Sequence, residues 1–120
     1  MSYNKNNIFA KILKGEIPCR KVYENKYVLS FHDINPQKKI HVLVIPKGEY
    51  VNLDDFIEKA SDKEILEFNK AINHVVKMLK ISNVDGGYRL LSNIGINGEQ
   101  EVPHLHYHIF GGEKIGKMVV

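Results

Sequence analysis

The sequence predicts an α+β fold, a five-stranded antiparallel sheet with one long and one short helix, and three observations predict it. Five short runs are rich in β-branched and aromatic residues, a composition that suits a pleated, half-buried surface. One stretch, 61–79, is long and repeats its apolar residues every three to four positions. The strand-like runs are mostly joined by short turn signals rich in Asn, Gly and Pro, which favour antiparallel neighbours over parallel crossovers.

Asn7 is placed to cap a short helix in which Ile8, Phe9, Ile12 and Leu13 form one apolar face, and Gly15 and Pro18 stop it. Strands follow at 22–24 and 27–34, joined by the polar turn Glu24-Asn25-Lys26, with Tyr27, Leu29 and Phe31 alternating on one face. Asn35-Pro36-Gln37 closes that segment. Residues 40–45 are almost wholly apolar apart from His41, which suits a central strand covered on both faces, and Pro46-Lys47-Gly48 ends it. In the long helix, Ser61 and Glu64 have capping-box spacing, and Ile65, Phe68, Ile72, Val75 and Leu79 make its apolar side. Asp85-Gly86-Gly87 leads into a strand at 88–94. Asn97-Gly98 turns the chain again, and a last strand runs over 102–110 to Gly111-Gly112. No repeat, low-complexity block or linker divides the chain, so 1–120 reads as one domain with 1–6 and 113–120 as tails.

Composition narrows the function classes. With 120 residues, 43% hydrophobic and 26% charged, the chain is long enough for one packed core and too short for two ordinary domains. The net charge is +3, but the lysines are scattered among Glu and Asp and only Arg20 and Arg89 are guanidinium forks, so no nucleic-acid partner is expected. Cys19 is the sole cysteine; this excludes an internal disulfide and a thiolate zinc cluster and suits a reducing, cytoplasmic setting. No run approaches the ~20 apolar residues of a membrane span, and 1–14 has no apolar leader core, so neither membrane insertion nor secretion is expected.

His104, His106 and His108 alternate with Leu105, Tyr107 and Ile109. On a strand this puts three imidazoles on one face and the apolar residues into the core behind them. A metal site is one reading. Residues i and i+4 on a strand are ~13 Å apart, so one ion can take two of the three at most, together with His41 or His32. No Cys pair, His-Glu helix motif or carboxylate cluster completes such a site, and no metal or other cofactor is expected. Catalysis by imidazole is the other reading, and it explains the repetition: a neutral middle histidine can attack as a nucleophile while a neighbour carries a proton to the leaving group. The turn at Asn97-Gly98 offers successive backbone amides for an anion. These are the parts of a phosphoryl or nucleotidyl transfer site.

The run His104-Leu105-His106-Tyr107-His108-Ile109-Phe110 resembles the signature of the histidine triad proteins. Ile8-Phe9-Ala10-Lys11-Ile12, Glu16-Ile17-Pro18, Phe31-His32-Asp33-Ile34, Pro36-Gln37, His41-Val42-Leu43-Val44-Ile45-Pro46-Lys47, Asn93, Gln100 and Gly111-Gly112 are similar, in order and spacing, to the nucleotide-binding branch of that family. The resemblance covers roughly residues 7–112. It implies a dimeric purine nucleoside phosphoramidase of histidine-triad fold that hydrolyses a P–N bond without a cofactor. By the same resemblance His106 is the nucleophile, His108 contacts the phosphate and protonates the leaving group, and His104 and His41 complete a relay. Asp33 is implied as the ribose ligand. Ile8, Phe9, Ile12, Phe31, His32, Ile34 and Leu43 would form the base slot, with Asn93, Gln100 and Glu101 around the phosphate and scissile bond. The dinucleoside polyphosphate hydrolases of the family, and a regulatory nucleotide-binding protein with incidental activity, are the alternatives.

Two acidic residues depart from the better-known phosphoramidases: Glu99 stands where many relatives have Gly, and Glu101 where they often have Ser. Counting back along a strand at 102–110, Gln100 and Val102 share the histidines' register and Glu101 turns away, unless Pro103 introduces a bulge. On that register Glu101→Ser changes kcat/KM less than about tenfold and Gln100→Ala costs more.

Overall fold

The structure, a computed structural model, describes residues 2–118. Strands β1 (Lys21–Glu24), β2 (Val28–His32), β3 (Ile40–Pro46), β4 (Arg89–Leu91) and β5 (Tyr107–Gly111) form one antiparallel sheet in the order β1-β2-β3-β5-β4. Helices α1 (Ile8–Leu13), α2 (Leu53–Lys59) and α3 (Asp62–Met78) complete the regular elements, with a 3-10 turn at Asn83–Asp85. The sheet, the long helix and the short helix at residue 8 are those the sequence predicts; α2 is an addition. Its signals are local: Asn52 accepts from Asp55 N as N-cap, and Asp54 and Asp55 occupy the first turn, where acidic residues suit the helix dipole. Seven residues hold too few turns to display a periodicity.

The caps expected from sequence are made. Asn7 Oδ1 accepts from Ala10 N at 2.9 Å, and Ser61 and Glu64 exchange both bonds of a capping box. Strands β1 and β3 each run one residue beyond the expected bounds, and the other three are shorter than predicted. Tyr27 falls in the hairpin turn, because Asn25 Oδ1 accepts from both Tyr27 N and Val28 N. The strand expected at 88–94 keeps three residues. The one expected at 102–110 begins only at Tyr107, and its partners on β3 run from Val44 opposite Tyr107 to Ile40 opposite Gly111.

Strand β3 is central, as its composition requires, and each face of the sheet has its own core. On one side Val28, Val42, Val44, Leu105 and Ile109 pack with Phe56 of α2 and Phe68, Ala71, Ile72, Val75 and Val76 of α3. Each large side chain sunk there contributes about 1.5–3 kcal/mol. On the other side Leu29, Phe31, Leu43 and Ile45 meet Phe9 of α1. Residues opposite one another in an antiparallel pair share a face. His41 lies opposite Phe110 and Leu43 opposite His108, so both histidines stand on the α1 face, which carries the smaller core and leaves room beside it.

The segments outside the elements touch this frame. Tyr3 meets His104, Glu113 accepts from Lys39 N, and Arg89 donates to Gly116 O; Val119 and Val120, the end of the C-terminal tail, lie outside the described residues. Among the described residues no helix is long and apolar enough to cross a membrane.

Candidate active site

A cavity of about 510 Å³ opens on the α1 face, lined by Phe9, Asp33, Asn35, Gln37, His41, Leu43, Asn93, Gly98, Glu99, Glu101, Val102, His106 and His108. The alternation at 104–109 brings the histidines there. Leu105, Tyr107 and Ile109 pack on the helix side, and His106 and His108 between them turn the other way. Only Tyr107–Gly111 belongs to the ladder; the preceding residues are held by single bonds, from Leu105 N to Tyr50 O and from Ser92 Oγ to His106 O.

Hydrogen bonds to groups of fixed character settle the ring protons. A carbonyl oxygen only accepts and a backbone N–H only donates. His106 Nδ1 lies 2.7 Å from His104 O, so Nδ1 carries the proton and Nε2 keeps its lone pair. Gln37 N donates to His41 Nδ1 at 3.1 Å, so His41 carries its proton on Nε2. That atom is 2.9 Å from His108 Nδ1 and 3.4 Å from Asp33 Oδ2. His108 Nδ1 therefore accepts, and the His108 proton sits on Nε2. The chain Gln37, His41, His108 is a directed row of donors ending at a free N–H.

Burial keeps these rings neutral. It pushes His106 below the ordinary histidine range, against the His104 carbonyl bond and the Asp33 and Glu101 carboxylates, which act upward. His108 is pushed down to about 4, by burial first and then by His106 and His41. His41 is also lowered by burial, with Asp33 opposing. At neutral pH His106 thus presents an uncharged imidazole with an available lone pair, 5% exposed, its ring met edge-on by Phe9 at 4.9 Å between centroids.

Asp33, His41 and His108 bring one donor atom each within 4.8 Å of one another, a spacing that invites a metal. The donor set does not fit one. A metal on His41 Nε2 needs the lone pair there, which moves the ring proton to Nδ1 and sets it against Gln37 N–H. The same geometry suits a shared proton.

Of the residues singled out from sequence, the cavity gathers His41, His106, His108, Phe9, Asp33, Leu43, Asn93 and Glu101. His104 is fully buried behind it. Phe31 is buried against Phe9, Ile12 lines a separate groove with Cys19, His32 ends β2, and Ile8 and Ile34 are exposed, Ile34 at 92%. Gln100 and Glu101 exchange the places that strand parity assigns them. Gln100 spends its amide on the backbone, donating to Val51 O and Val102 O and accepting from Gly95 N, whereas Glu101 faces the cavity. The reason is that 100–106 is not a strand. The turn at 95–99, with Glu99 at φ +57°, resets the parity. In that turn a Cβ on Gly98 would lie 2.5 Å from Ile94 O, so only glycine fits. Gln37, Ser92 and Tyr3 were not singled out as functional from sequence; the Gln37 contact depends on the fold of one loop, those of Ser92 and Tyr3 join separate segments, and none leaves a periodic signal.

Residues 14–115 match the HIT domain. An uncharacterised 13.2 kDa HIT-like protein of Azospirillum brasilense is 50% identical over 118 residues, covering 98% of this chain and 95% of that protein. Among solved structures, a HIT family hydrolase from Clostridium thermocellum superposes with a TM-score of 0.82 at 36% identity, covering 98% of this chain and 99% of that one. A histidine triad nucleotide-binding protein from Candida albicans does so with a TM-score of 0.77 at 32% identity, covering 96% and 85%. With the HIT domain matched over residues 14–115 and its fold superposing on these structures, the chain belongs to the HIT family of histidine triad proteins.

Proposed function

We propose that the protein is a nucleotide-binding hydrolase that cleaves the P–N bond of purine nucleoside phosphoramidates through a nucleotidyl-His106 intermediate. One observation carries the reading: a neutral His106 with its Nε2 lone pair free stands in the cavity beside the Nε2–H of His108. The names of the solved relatives, a hydrolase and a nucleotide-binding protein, support the same class.

In this reading the anionic phosphate favours one added proton on the His41–His108 pair, and the Asp33 carboxylate beside it acts in the same direction. His106 Nε2 attacks phosphorus. The P–N bond breaks, the amine leaves with the proton from His108 Nε2, and the nucleotidyl-imidazole carries its charge against the His104 carbonyl. Water then attacks phosphorus, gives its proton to His108, and releases the nucleoside monophosphate and a neutral His106. Asp33 Oδ1 already accepts from Asn35 N. Each of its carboxylate oxygens keeps a lone pair for a ribose hydroxyl, with the base reaching toward Phe9 and Leu43, which line the same cavity. Asn93 contacts the phosphate, and Gln100 supports that wall from behind.

The direct test is turnover of an adenosine 5′-phosphoramidate beside a dinucleoside polyphosphate, each with and without chelator. Preference for the phosphoramidate, unchanged by chelator, is expected. Preference for the polyphosphate would assign the other hydrolase branch, and binding without turnover would assign a regulatory protein.

Glu101 sets up a measurable repulsion. A carboxylate ~6 Å from one phosphate charge costs ~0.7 kcal/mol in water-like surroundings. Glu101→Ser is expected to tighten adenosine monophosphate binding about threefold at low ionic strength, and the gain should vanish near 1 M salt, where the Debye length is ~3 Å. An unchanged Kd in calorimetry at low salt would count against a carboxylate facing the phosphate.

We also infer a homodimer. The edge strand β4 leaves Leu90 exposed, and α3 exposes Leu66 and Met78, surfaces that a second copy would cover. Sedimentation at micromolar concentration is expected to give twice the 13.8 kDa chain mass.

A further inference from the structure

The N-terminal segment reaches the histidine row from behind. Tyr3 is 101 positions from His104 in sequence, and its hydroxyl lies 2.5 Å from His104 Nδ1. The other ring nitrogen, Nε2, is 2.8 Å from Pro46 O. Because a carbonyl only accepts, Nε2 holds the proton and Nδ1 the lone pair, and the Tyr3 O–H is the donor. His104 is completely buried, so no water stands ready to replace that donor. The Asn7 side chain lies against the Tyr3 hydroxyl, and Asn7 caps α1, whose Phe9 ring edges both His104 and His106.

His104 lines no part of the cavity. It acts on the site through its backbone, because its carbonyl takes the Nδ1–H of His106 at 2.7 Å and so decides where the His106 Nε2 lone pair points. A ring bonded at both nitrogens cannot rotate or change tautomer without losing a bond, and it holds its own carbonyl in place. Burial keeps that ring uncharged, down to about 4.

We propose that Tyr3 is a positioning residue: its hydroxyl locks the His104 ring in the Nε2–H form and thereby holds the His104 carbonyl that aims His106. The kinetic part of this rests on His106 being the nucleophile. Removing the hydroxyl leaves a buried acceptor without its donor, the ring turns or takes another tautomer, and the aim of His106 loosens. A displacement of about 1 Å at a reacting group costs as much as 10²-fold, and a loosened ring approaches that displacement part of the time.

The test compares full-length wild type, Tyr3→Phe and Asn4→Ala by nitrogen-15 histidine NMR and by steady-state hydrolysis of an adenosine phosphoramidate. Asn4 Oδ1 accepts from Asn6 N in the same segment, so Asn4→Ala loosens the chain there and spares the hydroxyl. Tyr3→Phe is expected to move the ring-nitrogen resonances of His104 and His106, leave those of His74 in place, and lower kcat about tenfold with KM within threefold. Asn4→Ala is expected to match wild type. Stationary His106 resonances in Tyr3→Phe, a kcat within twofold of wild type, or an equal loss in Asn4→Ala would each overturn the proposal. Where wild type itself leaves the phosphoramidate uncleaved, the functional reading fails, and the His106 resonances alone decide for or against Tyr3.

Discussion

His106→Asn is expected to lower kcat for phosphoramidate hydrolysis by at least about 10⁴-fold, or ~5.4 kcal/mol, while nucleoside monophosphate binding stays within about tenfold. The two quantities separate because the bond from Nε2 to phosphorus exists only on the way to the intermediate, so its loss falls on the transition state and hardly on the ground state. The Asn side chain is small enough for the same space and its amide can still donate to His104 O, the bond His106 makes through Nδ1. What it lacks is the lone pair of an imidazole nitrogen. Acid-quenched wild type should in addition contain an acid-labile nucleotide on His106. Turnover near that of wild type in His106→Asn, or a collapse of nucleotide binding, would remove the nucleophile's role from this residue.

The parts of the site that were legible in the sequence are those with a period. Leu105, Tyr107 and Ile109 alternate with the triad, and burial of Leu105 and Ile109 on the helix side is sufficient to bring the histidines to the opposite face, although the ladder begins only at Tyr107. The long helix was legible for a similar reason, since its spacing and its Ser61–Glu64 cap agree. Parity failed at Gln100 and Glu101 because counting by twos requires an unbroken strand, and the turn ending at Glu99 interrupts it. The contacts that assign ring protons were not legible at all. Gln37 to His41 depends on how the loop between β2 and β3 folds back, and Tyr3 to His104 joins the two ends of the chain; neither has a spacing that a sequence pattern can register.

The directed row from Gln37 through His41 to His108 predicts how the cost of losing His108 depends on the leaving group. In His108→Gln the side-chain oxygen can still accept from His41 Nε2, as Nδ1 does at 2.9 Å, so the buried donor keeps a partner and the fold is preserved. The lost function is delivery of a proton to the departing nitrogen. An alkylamine cannot leave phosphorus as an anion, so it depends fully on that proton, and general acid catalysis of this kind is worth about 10²–10⁴-fold. A nitrophenyl ester of the same nucleoside monophosphate departs as a stable phenolate and needs no proton. His108→Gln is therefore expected to lower kcat/KM about 10³-fold for the alkylamine phosphoramidate and less than about tenfold for the nitrophenyl ester. The comparison isolates chemistry from binding, because both substrates carry the same nucleoside and phosphate. Equal losses on the two substrates would mean that His108 holds the phosphate and that the proton comes from elsewhere, with the Asp33 and His41 side of the cavity the next place to look for it.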